Sequence, residues 1–373
     1  MTIAYRVIEK DAGFEELAGR LSGEASFAID IEADSLHSYE GKVCLVQIST
    51  REENYIIDVL KLSTLEPIRP VLLDAGIEKV FHGADYDIRM LAKDYSLEIR
   101  NLFDTMIASQ LLGLKSLGLA ALLNEYFNLN IDKGFQKADW SKRPLSREML
   151  SYAALDTAHL LALRDILALK LEAKGRMEWA REEFHLLSLN RPKPRQLISP
   201  LKVKGARLLN VRQLAVLQAI LEFRDEKAKE LDRPPFKVIG NDILLEIAGA
   251  HFSTIEGLRT IPGITERIIE RYGSGLLEAI KKGNGAPTEE CPKFERRQRT
   301  RRSDAEIQRF EQLKAVSTRM ANELAIDPAI LCNNSCISTI ASASPSNIEE
   351  VMAGTLKSWQ RSILAPEFRA VFG

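Results

Sequence analysis

The chain has little cysteine, no long apolar run and almost no net charge, and each shortage excludes a class of protein. Four cysteines in 373 residues (Cys44, Cys291, Cys332 and Cys336) are too few for a disulfide scaffold. No stretch approaches the ~18–20 consecutive apolar residues that a membrane-spanning helix needs. The opening Met1-Thr2-Ile3-Ala4-Tyr5-Arg6 has neither the basic start nor the apolar centre of an export signal. Reduced thiols, a cytoplasmic location and no membrane association are therefore expected. Cys332 and Cys336 are spaced like half of a zinc site, but no second Cys/His pair lies at suitable spacing, so incidental or buried thiols are the better reading. The formal net charge is −1, from 51 basic and 52 acidic side chains. The whole molecule thus has no general attraction for a polyanion, and charge has to be read locally.

What is present is an ordinary globular composition, 45% hydrophobic and 28% charged, long enough for two or three domains. Residues 1–190 alternate strand and helix signals. Phe27–Glu32, Val43–Ser49 and Tyr55–Val59 read as three strands joined by hairpin-length connections, the second a nearly continuous apolar run. Helical and extended segments then alternate. Helices are expected over 64–74 and 85–94, strands at 79–82 and 101–104, and a long helix from Ser146 to Lys174. This predicts an α/β domain, a mixed sheet with helices on both faces. Residues 191–212 carry seven Lys or Arg and no Asp or Glu, with Pro192, Pro194 and Pro200, and read as a basic, partly extended linker. Residues 213–285 read as a small all-α domain with Asp242 as one helix cap. A second basic linker is expected over 286–302. Residues 303–373 are again helical and loosely echo the preceding domain, as a diverged duplication would.

The chemistry begins on the first of these strands. Alternation puts Phe27, Ile29 and Ile31 on one face and Ala28, Asp30 and Glu32 on the other. Two carboxylates side by side repel unless a cation lies between them, and hard oxygen ligands suit Mg²⁺ or Mn²⁺. Further acids follow at His82-Gly83-Ala84-Asp85-Tyr86-Asp87, past a strand end, and at Tyr152-Ala153-Ala154-Leu155-Asp156, where Tyr152 and Asp156 share a helix face. Asp30, Glu32, Asp87 and Asp156 would surround two divalent cations roughly 4 Å apart, an arrangement that activates water against phosphorus and steadies a departing 3′ oxygen. Tyr152 would hold the attacking water in line. The reaction predicted is hydrolysis of a phosphodiester.

These residues carry a resemblance. Asp30-Ile31-Glu32, His82…Asp87 and Tyr152-x-x-x-Asp156 are similar to the three exonuclease motifs of the DEDD superfamily, in the subgroup with tyrosine in the third. Asp139-Trp140-Ser141-Lys142-Arg143-Pro144-Leu145-Ser146 and Gly41-Lys42-Val43-Cys44-Leu45-Val46-Gln47-Ile48 resemble ribonuclease D and its exosome-associated relative. Phe223-Arg224-Asp225-Glu226-Lys227-Ala228 resembles the HRDC domain, and 303–373 a degenerate second copy. The resemblance implies an RNase H-like exonuclease fold followed by two HRDC-type domains. It implies 3′–5′ trimming of RNA with release of nucleoside 5′-monophosphates. It also implies a part in maturing the 3′ ends of tRNA precursors and other small stable RNAs.

Nothing in the chain demands an obligate protein partner. Asp85 competes with Asp87 for the second-motif ligand, with spacing from His82 favouring Asp87. His82 is either a ligand or base or a packed strand-end residue, and Asp104 reads as a helix cap. Trp140 and Arg143 are candidates to stack on a base and contact phosphate, with packing as the alternative. Leu36 and His37 are candidate wedges against the terminal base, and the basic runs candidate RNA-backbone contacts. The competing functions are an exonuclease acting mainly on DNA and an HRDC-based nucleic-acid-binding protein.

Overall fold

A computed structural model describes residues 3–131, 134–194, 197–250, 252–295 and 303–372. They form two compact units. One takes in Met1–Ala33, Val43–Pro192 and Thr300–Gly373, the other Asp34–Lys42 and Lys193–Arg299. No helix among the described residues is long and apolar enough to cross a membrane.

The first unit opens with β1 (Arg6–Ile8), α1 (Asp11–Leu21), β2 (Ser26–Ala33), β3 (Val43–Ser49) and β4 (Asn54–Ile57). It continues with α2 (Arg69–Leu73), β5 (Glu78–Phe81), α3 (Asp85–Tyr95), β6 (Leu102–Asp104), α4 (Thr105–Leu112) and α5 (Leu119–Phe127). α6 (Arg147–Ala158), α7 (Leu160–Ala173) and α8 (Met177–Ser188) follow. The sheet order is β1-β4-β3-β2-β5-β6, with β2–β3–β4 antiparallel and the other neighbours parallel. This is the predicted mixed sheet. The edge strand β1 was not anticipated, because three half-exposed residues are too short a run to show alternation. β3 is buried at every position, with strands on both sides and helix over its face. The helix expected over 146–174 is two helices, α6 and α7, parted at His159 (φ −111°, ψ 1°).

The second unit comprises α9 (Val211–Glu230), α10 (Pro235–Val238), α11 (Asn241–Gly249), α12 (Ile255–Arg259) and α13 (Glu266–Gly285). Leu217, Ile220 and Leu221 of α9 meet Leu244 and Ile247 of α11 and Leu276 and Ile280 of α13 in its core. The residue flanking α11 is Gly240, not Asp242. The latter lies in the first turn, where a carboxylate favours the helix dipole without capping it. The first basic stretch departs from the expected extended tether. Ile198, Leu201, Val203 and Leu209 pack onto this core, and Ala206 is fully buried in it. Its arginines are partly committed within the chain: Arg191 to Glu98, Arg207 over the Phe294 ring and Arg212 to the Gly283 and Ala286 carbonyls. Most of the second basic run, Arg296 to Arg302, lies outside the described residues.

The C-terminal helices are α14 (Asp304–Glu323), α15 (Pro328–Leu331), α16 (Asn334–Ala341), α17 (Ile348–Thr355) and α18 (Ser358–Ala370). They repeat the order of α9–α13: a 20-residue helix, a four-residue helix opening on proline, then three more. These helices belong to the same compact unit as the sheet. Leu313, Leu331, Ile340 and Leu364 share one apolar core with Phe103, Leu111 and Phe184 of the sheet domain. Trp359 stacks on Trp179 with centroids 4.9 Å apart and donates from Nε1 to Glu183 at 2.8 Å. The Lys357 ammonium donates to the same carboxylate. Buried Arg176 donates to the Leu111 and Leu324 carbonyls. Gly113 has φ 78°, and a Cβ there would lie 1.8 Å from the Ala325 carbonyl oxygen, so only glycine admits this approach.

Candidate active site

The site forms where β2 outruns β5. The two strands pair only from Ser26 to Ala28, so the C-terminal half of β2 keeps β3 on one side and loses its parallel neighbour on the other. Phe27, Ile29 and Ile31 are buried, and Asp30 and Glu32 project from the other face. After β5 the chain turns at Gly83, with φ 76°, and starts α3, whose first turn carries Asp87. The positive end of a helix favours a carboxylate there. Ser146 caps α6 by accepting from the Met149 N–H, and α6 carries Tyr152 and Asp156 over the same sheet face.

One carboxylate oxygen each from Asp30, Glu32 and Asp156 lie within 4.8 Å of one another. The pocket around them, about 320 Å³, is lined by these three, Tyr152, His82, Gln136, Ile131 and the start of α5 at Gly118–Ala120. Asp87 is 6% exposed, behind the lining, close enough that its charge acts on Glu32 and is acted on by Asp30. Burial pushes the Asp30 carboxyl up to about 7. Burial first, then the charges of Asp30, Asp156 and Asp87, push Glu32 up to about 10. Asp87 and Asp156 are raised by burial and then by Asp30. Among the described residues, no lysine or arginine lines the pocket to neutralise them. Four carboxylates, Asp87 buried and the other three partly buried, are a donor set that hard divalent cations fit, and such ions would let all four ionise together.

Tyr152 is half-buried, between Phe135 and Trp140. Its phenol is raised above its ordinary value by burial and by Asp156, Glu32 and Asp30, while Gln136 hydrogen-bonds it. It therefore stays protonated and is suited to orient a water rather than to remove a proton in bulk. The Thr105 hydroxyl donates to the Phe81 carbonyl, so the 2.9 Å contact between Thr105 and His82 makes His82 Nδ1 the donor. Burial depresses the His82 pKa. Asp85 is exposed, paired with Arg89 and accepting from Asn190, which leaves Asp87 as the buried acid of that motif. Asp104 accepts from the N–H groups of Ala84, Met106 and Ile107, fastening the turn before α3 and capping α4.

Trp140, Arg143, Leu36 and His37 are the remaining predicted contacts. Trp140 is 1% exposed, packed against Cys44, Leu45, Ala153 and Ala154, and offers no face for stacking. Arg143 donates to both oxygens of buried Asp58 at 2.6 Å and to the Trp140 and Cys44 carbonyls, so its fork is filled. These are corrections: both residues brace the segment that leads into α6. Leu36 and His37 lie on the loop Asp34–Lys42, which belongs to the helical unit. There the Tyr39 hydroxyl donates to Asp225 at 2.6 Å, its N–H to Asp232, and Lys237 Nζ to His37 Nδ1. Sequence reasoning passed over Gln136, because an isolated glutamine in a loop has no spacing to mark it.

This sheet with its carboxylate pocket defines a 3′–5′ exonuclease, and the family model of that description matches residues 5–172. A second model, the HRDC domain, matches residues 213–280. The chain is 32% identical over 312 residues to ribonuclease D of Desulfotalea psychrophila, covering 82% of each protein. It belongs to the ribonuclease D family of 3′–5′ exoribonucleases. It also matches RRP6-like 2 of Arabidopsis thaliana at 33% identity over 292 residues, spanning 74% of this chain but only 33% of that longer protein. The crystal structure of Escherichia coli RNase D shares the fold along nearly the full length, with TM-score 0.73, 23% identity, and 99% of this chain and 98% of that one covered.

Proposed function

We propose that this chain trims RNA from a free 3′ end, releasing nucleoside 5′-monophosphates, and that its substrates are tRNA precursors and other small stable RNAs. Asp30, Glu32, Asp87 and Asp156 would hold two divalent cations, Mg²⁺ or Mn²⁺. Bound there, such ions supply Lewis acidity and positive charge at the phosphodiester undergoing attack. The protonated Tyr152 phenol, steadied by Gln136, holds a water in line with the scissile phosphorus. The four carboxylates keep the pocket's charge matched to the ions, and the buried ring of Trp140 fixes the start of α6. The single observation that supports this most strongly is the convergence of Asp30, Glu32 and Asp156 within 4.8 Å. We assign α14–α18 as a second, degenerate HRDC copy, on the repeated helix order.

Full-length protein with Mg²⁺ or Mn²⁺ should shorten a 3′-hydroxyl RNA one nucleotide at a time and stop in excess chelator. Trimming that persists in chelator rules the reading out. Faster digestion of a DNA strand of matched sequence transfers the assignment to DNA.

A further inference from the structure

The first neighbour of the carboxylate pocket inside the sheet is a side chain with no explained purpose. Gln47 of β3 stands directly across from Asp30 of β2 in the antiparallel register. Opposed residues point to the same sheet face, with Cβ atoms ~4.5–5.5 Å apart. That face lies under α6. On one side of Gln47, Ser49 is hydrogen-bonded to Thr157 at 2.6 Å, and on the other Leu45 clusters with Ala153 and Ala154. Gln47 therefore sits beneath the turn of α6 that carries Asp156. It is 0% exposed, and among the described residues neither its Oε1 nor its Nε2 has a hydrogen-bond partner. A buried amide without partners is costly and uncommon. The other polar side chain of β3 on this face, Ser49, is satisfied.

Resting on the metal-dependent reading above, we propose that Gln47 is a positioning residue. In the loaded site its amide N–H donates to the Asp30 carboxylate and holds it in the orientation that grips the cation. The Asp30 carboxylate already accepts from the Ile31 N–H, and a side-chain donor would restrict it further; residues that hold metal ligands in this way contribute to metal affinity. Among the described residues, the pocket lining provides no lysine or arginine for the task. A neutral amide fits it better than an ammonium, since it orients Asp30 without cancelling the negative charge that the ions require.

The test is calorimetric titration of the full-length chain with Mn²⁺, comparing the parent with Gln47→Met and Gln47→Leu. Both variants should bind Mn²⁺ about 10–100-fold more weakly. Their metal-free melting temperatures should equal or exceed the parent's, because the orphaned amide is gone. At saturating metal, KM for RNA should be unchanged. Parent-like Mn²⁺ isotherms in the variants overturn the inference alone, whether or not metal-free stability falls. A parent that takes up no Mn²⁺ overturns the metal-dependent reading and the inference together.

Discussion

Replacing Arg143 with methionine separates a bracing residue from a phosphate contact. In the structure its guanidinium spans both oxygens of Asp58 at 2.6 Å and also donates to the carbonyls of Trp140 at 2.6 Å, Lys142 at 2.8 Å and Cys44 at 3.2 Å. The Asp58 side chain is 3% exposed and that of Arg143 21%, so the pair is largely out of water. Arg143→Met leaves the Asp58 carboxylate buried and uncompensated, together with three carbonyls that lose a donor. Breaking a buried pair in this way costs about 3–5 kcal/mol. At ~2–4 °C per kcal/mol for a unit of this size, the melting temperature should fall by roughly 6–20 °C. Adding Asp58→Asn to Arg143→Met should recover part of that loss, since the larger share of the penalty is the stranded charge rather than the missing attraction. Thermal melts followed by circular dichroism, alongside KM for a single-stranded RNA, decide the matter. A parent-like melt with a raised KM would refute the bracing role and return Arg143 to the substrate.

Three further outcomes follow from other parts of the molecule. Asp30→Asn should fold normally yet lose RNA hydrolysis by about 10²–10⁴-fold, the loss expected when transition-state charge stabilisation worth several kcal/mol goes; gel-resolved trimming at saturating Mg²⁺ checks it. Gly113→Ala should destabilise the junction with the C-terminal helices by about 1–3 kcal/mol from overpacking against Ala325, with roughly 1 kcal/mol more for the left-handed backbone, and urea melts measure both together. Lys79 is buried on β5, its ammonium donating to the Asp74 and Ile77 carbonyls, and burial lowers its pKa to about 8 from an ordinary 10.5. Between those values the unfolded chain keeps a proton that the folded chain releases, so stability should rise with pH across that window relative to Lys79→Met, and parallel stability curves would contradict this.

Much of the sheet and nearly all of the candidate site were legible in the residues. β2 could be read because Phe27, Ile29 and Ile31 alternate with Asp30 and Glu32 at the period of a strand, and a carboxylate pair on an apolar strand is a local signal. Tyr152 and Asp156 were legible for the same reason, one helical turn apart. The features hidden from the sequence have in common that nothing local records them. Whether Arg143 faces solvent depends on Asp58, 85 residues away, and whether Trp140 does depends on Cys44 and Leu45. The affiliation of Leu36 and His37 depends on Tyr39 reaching Asp225, 186 positions on. The standing of 303–373 depends on Gly113 and Trp179 accepting Ala325 and Trp359.

The order of residues by itself determined the period of each long element, the chemistry available at the carboxylates and the family those motifs resemble, because these are set within a few neighbours along the backbone. Only the tertiary structure decided which side chains are spent on each other: Arg143 on Asp58, Trp359 on Trp179 and Glu183, and the C-terminal helices on the flank of the sheet domain. Burial and pairing across long separations depend on how apolar surfaces from distant segments close together, and that closure leaves no periodic trace in the chain.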